Sequence, residues 1–205
     1  MAITTQKLSN TQLGGRKMKK NKTLLIIIAV VAVIAVYGFS TYNGLVTREA
    51  EVDNQWANVE SKLQRRYDLV PNLVSSVEGS MQQEKEVFGD ISEARSKMAG
   101  ASTVKETQDA SNEMETALSR LLVVMENYPE LKSNENVKTL MTQLEGTENR
   151  ISVERDRYNK AVKNYNVSIK KFPKSLIANM SGFDQKDYFE ATEGAEKAPE
   201  VKFNK

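Results

Sequence analysis

The chain has no cysteine and no histidine. The first absence removes disulfides and thiolate nucleophiles, the second removes imidazole bases, and together they remove the usual zinc ligand sets. Proline occurs four times and tryptophan once in 205 residues, so each needs a local reason. Acids are missing from residues 1–22, which carry Lys7, Arg16, Lys17, Lys19, Lys20 and Lys22. The overall charge of +2 rests on that stretch, and the rest of the chain is net acidic. A basic N-terminus ahead of a mildly acidic body is not a nucleic-acid-binding composition. No strand pattern is present.

What the chain does have is a long uncharged run, TLLIIIAVVAVIAVYGFSTY, at 23–42. A membrane-spanning helix needs about 20 mostly apolar residues, and Tyr37 and Tyr42 suit the aromatic interface at one end. A cleaved signal peptide is the rival. Its apolar core is shorter, about 7–15 residues before a small-residue cleavage site, and Val36-Tyr37-Gly38 makes a poor one. The run is apolar on all faces, unlike a soluble helix with a single buried stripe. Lys17, Lys19, Lys20 and Lys22 precede the span, whereas Arg48 follows it among acids. The Lys/Arg excess therefore predicts a cytoplasmic N-terminus and a body outside. The same four lysines are candidate contacts for anionic lipid headgroups. The lipid bilayer is thus an expected partner, in a cell (cytoplasmic, inner) membrane crossed once.

Downstream the apolar residues repeat with helical, heptad-like spacing. Val52, Trp56, Val59, Leu63, Tyr67, Val70, Val74, Val77 and Met81 lead to Phe88, Ile91 and Met98, with one step that reads as a stutter. Met114, Leu118, Leu121, Met125 and Tyr128 form a second set. Val137, Leu144, Ile151, Tyr158, Tyr165 and Phe172 fall seven apart in a third. AGAST at 99–103 and NYPELKSNEN at 127–136 read as turns, the latter offering Ser133 or Asn134 as a cap. Phe172-Pro173 ends the third helix, because the residue before proline is biased away from helix. SLIANM fits one or two further helical turns. The expected fold is all-α: a single transmembrane helix continuing into an antiparallel bundle of three long helices, about 43–98, 104–127 and 135–171. Residues 1–22 are expected as a disordered basic N-terminus, 43–183 as the bundle domain, and 184–205 as an extended, irregular tail.

KLQRRYDLVPNLV at 62–74 interrupts this regularity. Proline inside a helix removes a hydrogen bond and crowds the preceding turn, costing roughly 3 kcal/mol or more. No loop residues flank Pro71, so the expectation is a kink that divides the first helix, giving four segments. Packing of Leu69, Val70, Leu73 and Val74 would offset the cost, at roughly 1.5–3 kcal/mol for each fully buried side chain. Arg65, Arg66, Asp68, Pro71 and Asn72 then admit two readings. One is a recognition surface whose two guanidiniums clamp a carboxylate or phosphate. The other, favoured here, is a packing device in which Arg66 pairs with Glu148 or Glu154 in a register-setting polar layer.

Other groups point to packing before chemistry. Glu148, Glu154, Arg155, Asp156 and Arg157 alternate in sign, as a salt-bridged helix face does, and lack the Glu-x-x-His pairs of a di-metal bundle site. Tyr158-Asn159 and Tyr165-Asn166 repeat at seven, with the tyrosines at core positions and the asparagines on a flank. Trp56 lies about 21 Å beyond the span in an upright helix, too far for the interface belt. With Val52 and Val59 it forms an apolar stripe that either the third helix and tail or another subunit must cover. Phe183, Tyr188, Phe189 and Phe203 are most simply expected to dock on the chain's own bundle.

Several segments resemble signatures of the LemA family: YNGLV (42–46), QWANVESKLQRRYDLVPNLV (55–74), EARSKM (93–98), ENRISVERDRYNKAVKNYN (148–166), FPKSLIANMSGF (172–183) and DYFEATEGAEKAPEVKF (187–203). The resemblance implies a bacterial single-pass membrane protein with a long helical bundle and no known catalytic activity. It also hints at membrane remodelling or envelope quality control. The chain departs from many members at Gln83-Glu84, where they carry a His-Glu pair, so no imidazole role applies there. The expected function is a membrane-anchored scaffold or adaptor, not an enzyme. It would act through contacts with a second copy or another membrane or envelope protein, without cofactor, metal, nucleic acid or small-molecule substrate. A regulatory partner of a membrane protease and a hydrolase using Glu148 or Glu154 are the alternatives.

Overall fold

The computed structural model describes residues 10–190, with side chains described from Lys22 onward. All regular structure among the described residues is helical: α1 (Asn10–Val77), α2 (Lys85–Gly100), α3 (Val104–Met125), α4 (Pro129–Ser133), α5 (Glu135–Lys170) and α6 (Lys174–Ser181). The chain divides into two compact units. One holds Ile169–Asp184 and the chain up to Thr47; the other holds Arg48–Ser168 and the chain from Gln185.

In the first unit, α1 contains the one segment among the described residues long and apolar enough to cross a membrane. Every Leu, Ile and Val from Leu24 to Val36 is more than half exposed. The expectation of a disordered stretch over 1–22 is corrected for its second half, since α1 already begins at Asn10. The side chains of Lys17, Lys19 and Lys20 lie outside the described residues, and Lys22 is exposed. α6 forms where SLIANM predicted it and ends at Gly182. There a positive φ of 74° turns the chain sharply, a conformation glycine adopts without steric cost.

In the second unit, α1 runs through Pro71 without interruption and stops at Val77. The expected continuation to residue 98 is corrected here: residues 78–84 form turns, and a separate α2 starts at Lys85. Glu78-Gly79-Ser80 supplies the break, because glycine costs about 1 kcal/mol relative to alanine in a helix interior. Met81 stays buried across that break, which is why the apolar spacing reads as uninterrupted. α3 opens on a complete capping box: Thr103 Oγ1 accepts from the Glu106 amide at 3.1 Å, and Glu106 Oε2 accepts from the Thr103 amide at 3.1 Å. α5 is capped by Asn134, whose Oδ1 accepts from the amides of Asn136 and Val137.

One hydrophobic cluster joins Val70, Leu73 and Val77 of α1 to Ile91 of α2, Met114, Leu121 and Met125 of α3, Leu131 of α4 and Val137 of α5. Val70 and Leu73 are thus buried as predicted, while Leu69 and Val74 are half-buried. Each fully buried aliphatic side chain contributes roughly 1.5–3 kcal/mol. That is enough to hold Pro71, half-buried among them, inside a helix.

Candidate functional site

The kink-region motif separates into parts that do different things. Arg66 is 2 % exposed, whereas Arg65 and Asp68 face solvent. Arg66 reaches across to two other helices. One terminal nitrogen donates to Glu148 Oε2 at 2.7 Å; the other donates to the Ser111 hydroxyl at 2.5 Å and carbonyl at 3.1 Å. α1, α3 and α5 are pinned together by this one guanidinium. Since Arg66 is consumed internally, Arg65 and Arg66 form no shared clamp for an anion, and the two-arginine recognition reading is corrected. Asp68 accepts from Gln64 Nε2 on its own helix at 2.8 Å. Asn72 is exposed and contributes its main-chain carbonyl, which accepts from Ser76 Oγ at 2.7 Å. Beside the node, a cavity of about 700 Å³ is lined mainly by Leu73, Leu118, Leu122, Met141 and Leu144, with Arg66 and Glu148 among its polar residues.

Glu148 and Glu154 serve different arginines. Glu154 accepts from Arg157 at 2.9 Å one turn along α5, and six residues of helix place the two carboxylates about 120° apart. Among the described residues, no group of three or more acidic side chains is arranged to hold a metal ion.

A larger construction lies farther toward the C-terminal end of α5, built on Tyr158 and on the asparagines of the two Tyr-Asn pairs. Residues 186–190 run extended along α5 and are bound by its side chains, with the two asparagines one heptad apart. Asn166 donates to the Lys186 carbonyl at 2.8 Å and accepts from the Lys186 amide at 3.0 Å. Asn159 does the same with Phe189, at 2.8 Å each way. The arithmetic fits the periods: seven helical residues advance about 10.5 Å, and three extended residues advance about 10 Å. Side-chain amides one heptad apart therefore match main-chain amides three residues apart. Tyr158 donates its hydroxyl to the Asp187 carbonyl at 2.8 Å. Gln108 of α3 accepts from the Glu190 amide, and Arg155 donates to the Glu190 carbonyl. At the segment's start, Lys186 pairs with Glu49 at 2.8 Å.

Phe189 is the apolar anchor, 1 % exposed. Its ring lies 6.0 Å from that of Trp56, which also meets Tyr158 at 5.2 Å. The Arg155 guanidinium caps the Phe189 ring at 4.6 Å. Burial shifts the groups here. It pushes the Tyr158 hydroxyl up to about 12 and lowers Arg155, an effect that Glu115 and Glu148 oppose. Lys186 is raised, chiefly by its hydrogen bond to Glu49.

The candidate interface residues are settled by the same packing. Val52 and Val59 are 2 % and 0 % exposed, and Trp56 is engaged by Tyr158 and Phe189. Of the two expected covers for the Val52, Trp56 and Val59 stripe, the structure shows the one within the chain, with Trp56 against Tyr158 of α5 and Phe189 of the tail. Phe189 meets Trp56 of the bundle, as expected of the tail aromatics, whereas Phe183 meets Tyr42 at the end of the apolar run. Tyr188 is 42 % exposed, and Phe203 lies outside the described residues. The signal for the ladder is present in the sequence: two Tyr-Asn pairs in one heptad register, with the tyrosines at core positions and the asparagines beside them.

The chain is similar in sequence to known proteins. The chain is 29 % identical over 194 residues to magnetosome protein MamQ 2 of Paramagnetospirillum magneticum, covering 81 % of this chain and 71 % of that protein. It is 26 % identical over 205 residues to magnetosome protein MamQ of Magnetospirillum gryphiswaldense, covering 85 % and 75 %. The LemA family model matches residues 55–203, a span that takes in Trp56, the Arg66 node, both asparagines and the extended segment they hold. The chain belongs to the LemA family.

Proposed function

We propose that this chain is a membrane-anchored helical scaffold or adaptor that works by contact and catalyses no reaction. The observation that carries this reading is the exposure of every Leu, Ile and Val between Leu24 and Val36 on a helix with no charge in that run. Such a surface is unstable in water and is satisfied by lipid, whose hydrocarbon core matches its length. The anchor holds the N-terminus in the cytoplasm and the body outside the cell membrane, on the excess of basic residues before the span. The body is a bundle register-locked by Arg66, whose bonds to Glu148 and Ser111 supply rigidity instead of reactivity. Both relatives' names denote a structure, the magnetosome, and not a reaction, which supports the same reading coarsely.

The apolar cavity between α3 and α5 favours a second version, in which the partner is a different membrane or envelope protein, a membrane protease included, instead of a second copy. Crosslinking the full-length protein in intact cells tests both. Adducts with itself alone support the homo-oligomeric scaffold; one dominant heterologous adduct supports the adaptor. A soluble body recovered without detergent overturns the anchor.

A further inference from the structure

α6 and the end of the apolar run in α1 form one small assembly. Ala35, Gly38, Phe39 and Tyr42 of α1 and Ile177 and Ser181 of α6 line a common pocket. The rings of Tyr42 and Phe183 lie 5.6 Å apart. Gly182 makes that last contact possible, since its left-handed turn folds the chain back so that the Phe183 amide donates to the Ala178 carbonyl at 3.1 Å. One face of α6 is thereby used. Ala178 is buried, and Ile177 is half-buried.

The side of α6 that carries Leu176 and Met180, about 100° round from Ile177 and Ser181, is uncovered, with exposed Asn179 beside it. Phe172, Leu176 and Met180 are 80 %, 57 % and 88 % exposed. The last two sit one turn apart on α6, with Phe172 just before it. Scattered exposed apolar residues are ordinary, but two bulky ones a turn apart, with a third just before the helix and all beside a membrane-spanning run, are not. Lys170, Lys171 and Lys174 flank them, with Lys170 and Lys171 exposed. Basic residues beside an apolar helical face are the composition of a helix lying in the plane of a bilayer surface.

The depth is also right. Ala35 to Tyr42 covers about 10 Å of helix, at the end of the run where Tyr37 and Tyr42 suit the interface. Interfacial helices bury their apolar face about 5–10 Å into the headgroup and acyl boundary.

We infer that α6 is a second, interfacial membrane contact, inserting Phe172, Leu176 and Met180 into the leaflet into which the C-terminal end of the span emerges, with Lys170, Lys171 and Lys174 at anionic headgroups. This rests on the reading that α1 spans the bilayer. It gives the chain two lipid attachments with different chemistry, one crossing the bilayer and one lying in its surface.

The absence of cysteine makes the test direct. Full-length protein carrying Val33→Cys, Leu176→Cys, Met180→Cys or Ser76→Cys is labelled with an environment-sensitive fluorophore. Each is reconstituted into phosphatidylcholine vesicles with and without phosphatidylglycerol. Lipids spin-labelled either near the headgroup or deep in the acyl chain then quench the probe. The expected result is deep quenching at Val33, shallow quenching at Leu176 and Met180, and none at the exposed Ser76. Phosphatidylglycerol should strengthen the shallow quenching, and neutralising Lys170, Lys171 and Lys174 together should abolish that dependence. Quenching at Val33 with none at Leu176 and Met180 overturns the interfacial helix and leaves the anchor standing. An unquenched Val33 overturns the anchor, and with it the two-point attachment.

Discussion

Asn159 and Phe189 close a ring of two hydrogen bonds: the side-chain amide donates to the Phe189 carbonyl and accepts from the Phe189 amide, both at 2.8 Å. An amide is the side-chain group that presents a donor and an acceptor side by side, as a neighbouring strand would. Asn159→Asp is nearly isosteric but turns the donor into a second acceptor facing a carbonyl oxygen. Loss of one bond plus that repulsion should weaken docking of the segment by about 2 kcal/mol, within the range for an unsatisfied buried group. Limited proteolysis between Gln185 and Glu190 should accelerate accordingly, and emission from Trp56, the sole tryptophan, should change as Phe189 leaves it. Asn166→Asp should act the same way at Lys186. Unchanged cleavage in both variants would show that the ladder does not hold the segment.

Tyr158 gives the same docking a pH dependence. Burial raises its hydroxyl to about 12, against about 10 in an unfolded chain. A raised folded value means that the native state keeps the proton where the unfolded state loses it. The contribution is therefore complete below pH ~10 and disappears as pH rises from there through ~12, with a size on the order of 2 kcal/mol. Denaturant titrations across this range should show wild type losing more stability than Tyr158→Phe. The variant itself should start about 1 kcal/mol lower for want of the bond to Asp187. Parallel profiles for the two proteins would remove Tyr158 as the source.

Much of this was legible from residue spacing. α3, α5 and α6 begin and end close to where capping residues, Gly100, Pro129 and Pro173 put them. Arg66 finds Glu148, one of the two carboxylates that the polar-layer argument named. The break after Val77 was hidden because Met81 keeps its place in the core across the turn, and spacing alone cannot tell a continuous helix from two joined in register. Whether a neighbouring subunit covers Val52 and Val59 was equally hidden, because burial by one's own tail depends on contacts more than a hundred residues apart. The ladder escaped for a related reason. A helix-flank asparagine looks like solvent-facing polarity until an extended segment lies against it.

Pro71 sits beside fully buried Val70 and close to Leu73 inside an unbroken α1. Replacing it with alanine restores an amide donor and relieves the clash with the preceding turn, worth roughly 3 kcal/mol in an ideal helix. If the core around Val70 and Leu73 is built on a proline-bent helix, straightening it disturbs their packing and cancels most of that gain. The expected outcome for Pro71→Ala is unchanged far-UV helical signal, a stability change under about 1 kcal/mol, and altered solution scattering or assembly state. A gain near the full ideal value with identical scattering would mean that the bend has no role.

Arg66 and Glu148 should respond unequally to mutation, although they share one bond. Arg66 is 3 % exposed at its side chain, and Glu148 is 37 %. Removing Glu148 leaves a permanently charged guanidinium buried with only Ser111 to satisfy it, and an uncompensated buried charge costs about 3–5 kcal/mol. Removing Arg66 leaves a carboxylate that can turn toward solvent. Arg66→Met also refills the space with apolar volume of similar length, so the loss should be nearer 1 kcal/mol. Glu148→Leu should therefore destabilise the full-length protein in detergent by several times more than Arg66→Met. The double variant should recover most of the loss caused by Glu148→Leu, because the stranded charge is gone. Denaturant unfolding of the three variants measures this cycle directly. Equal losses from the two single changes would mean that the node is held by the shared bond, not by the burial of Arg66.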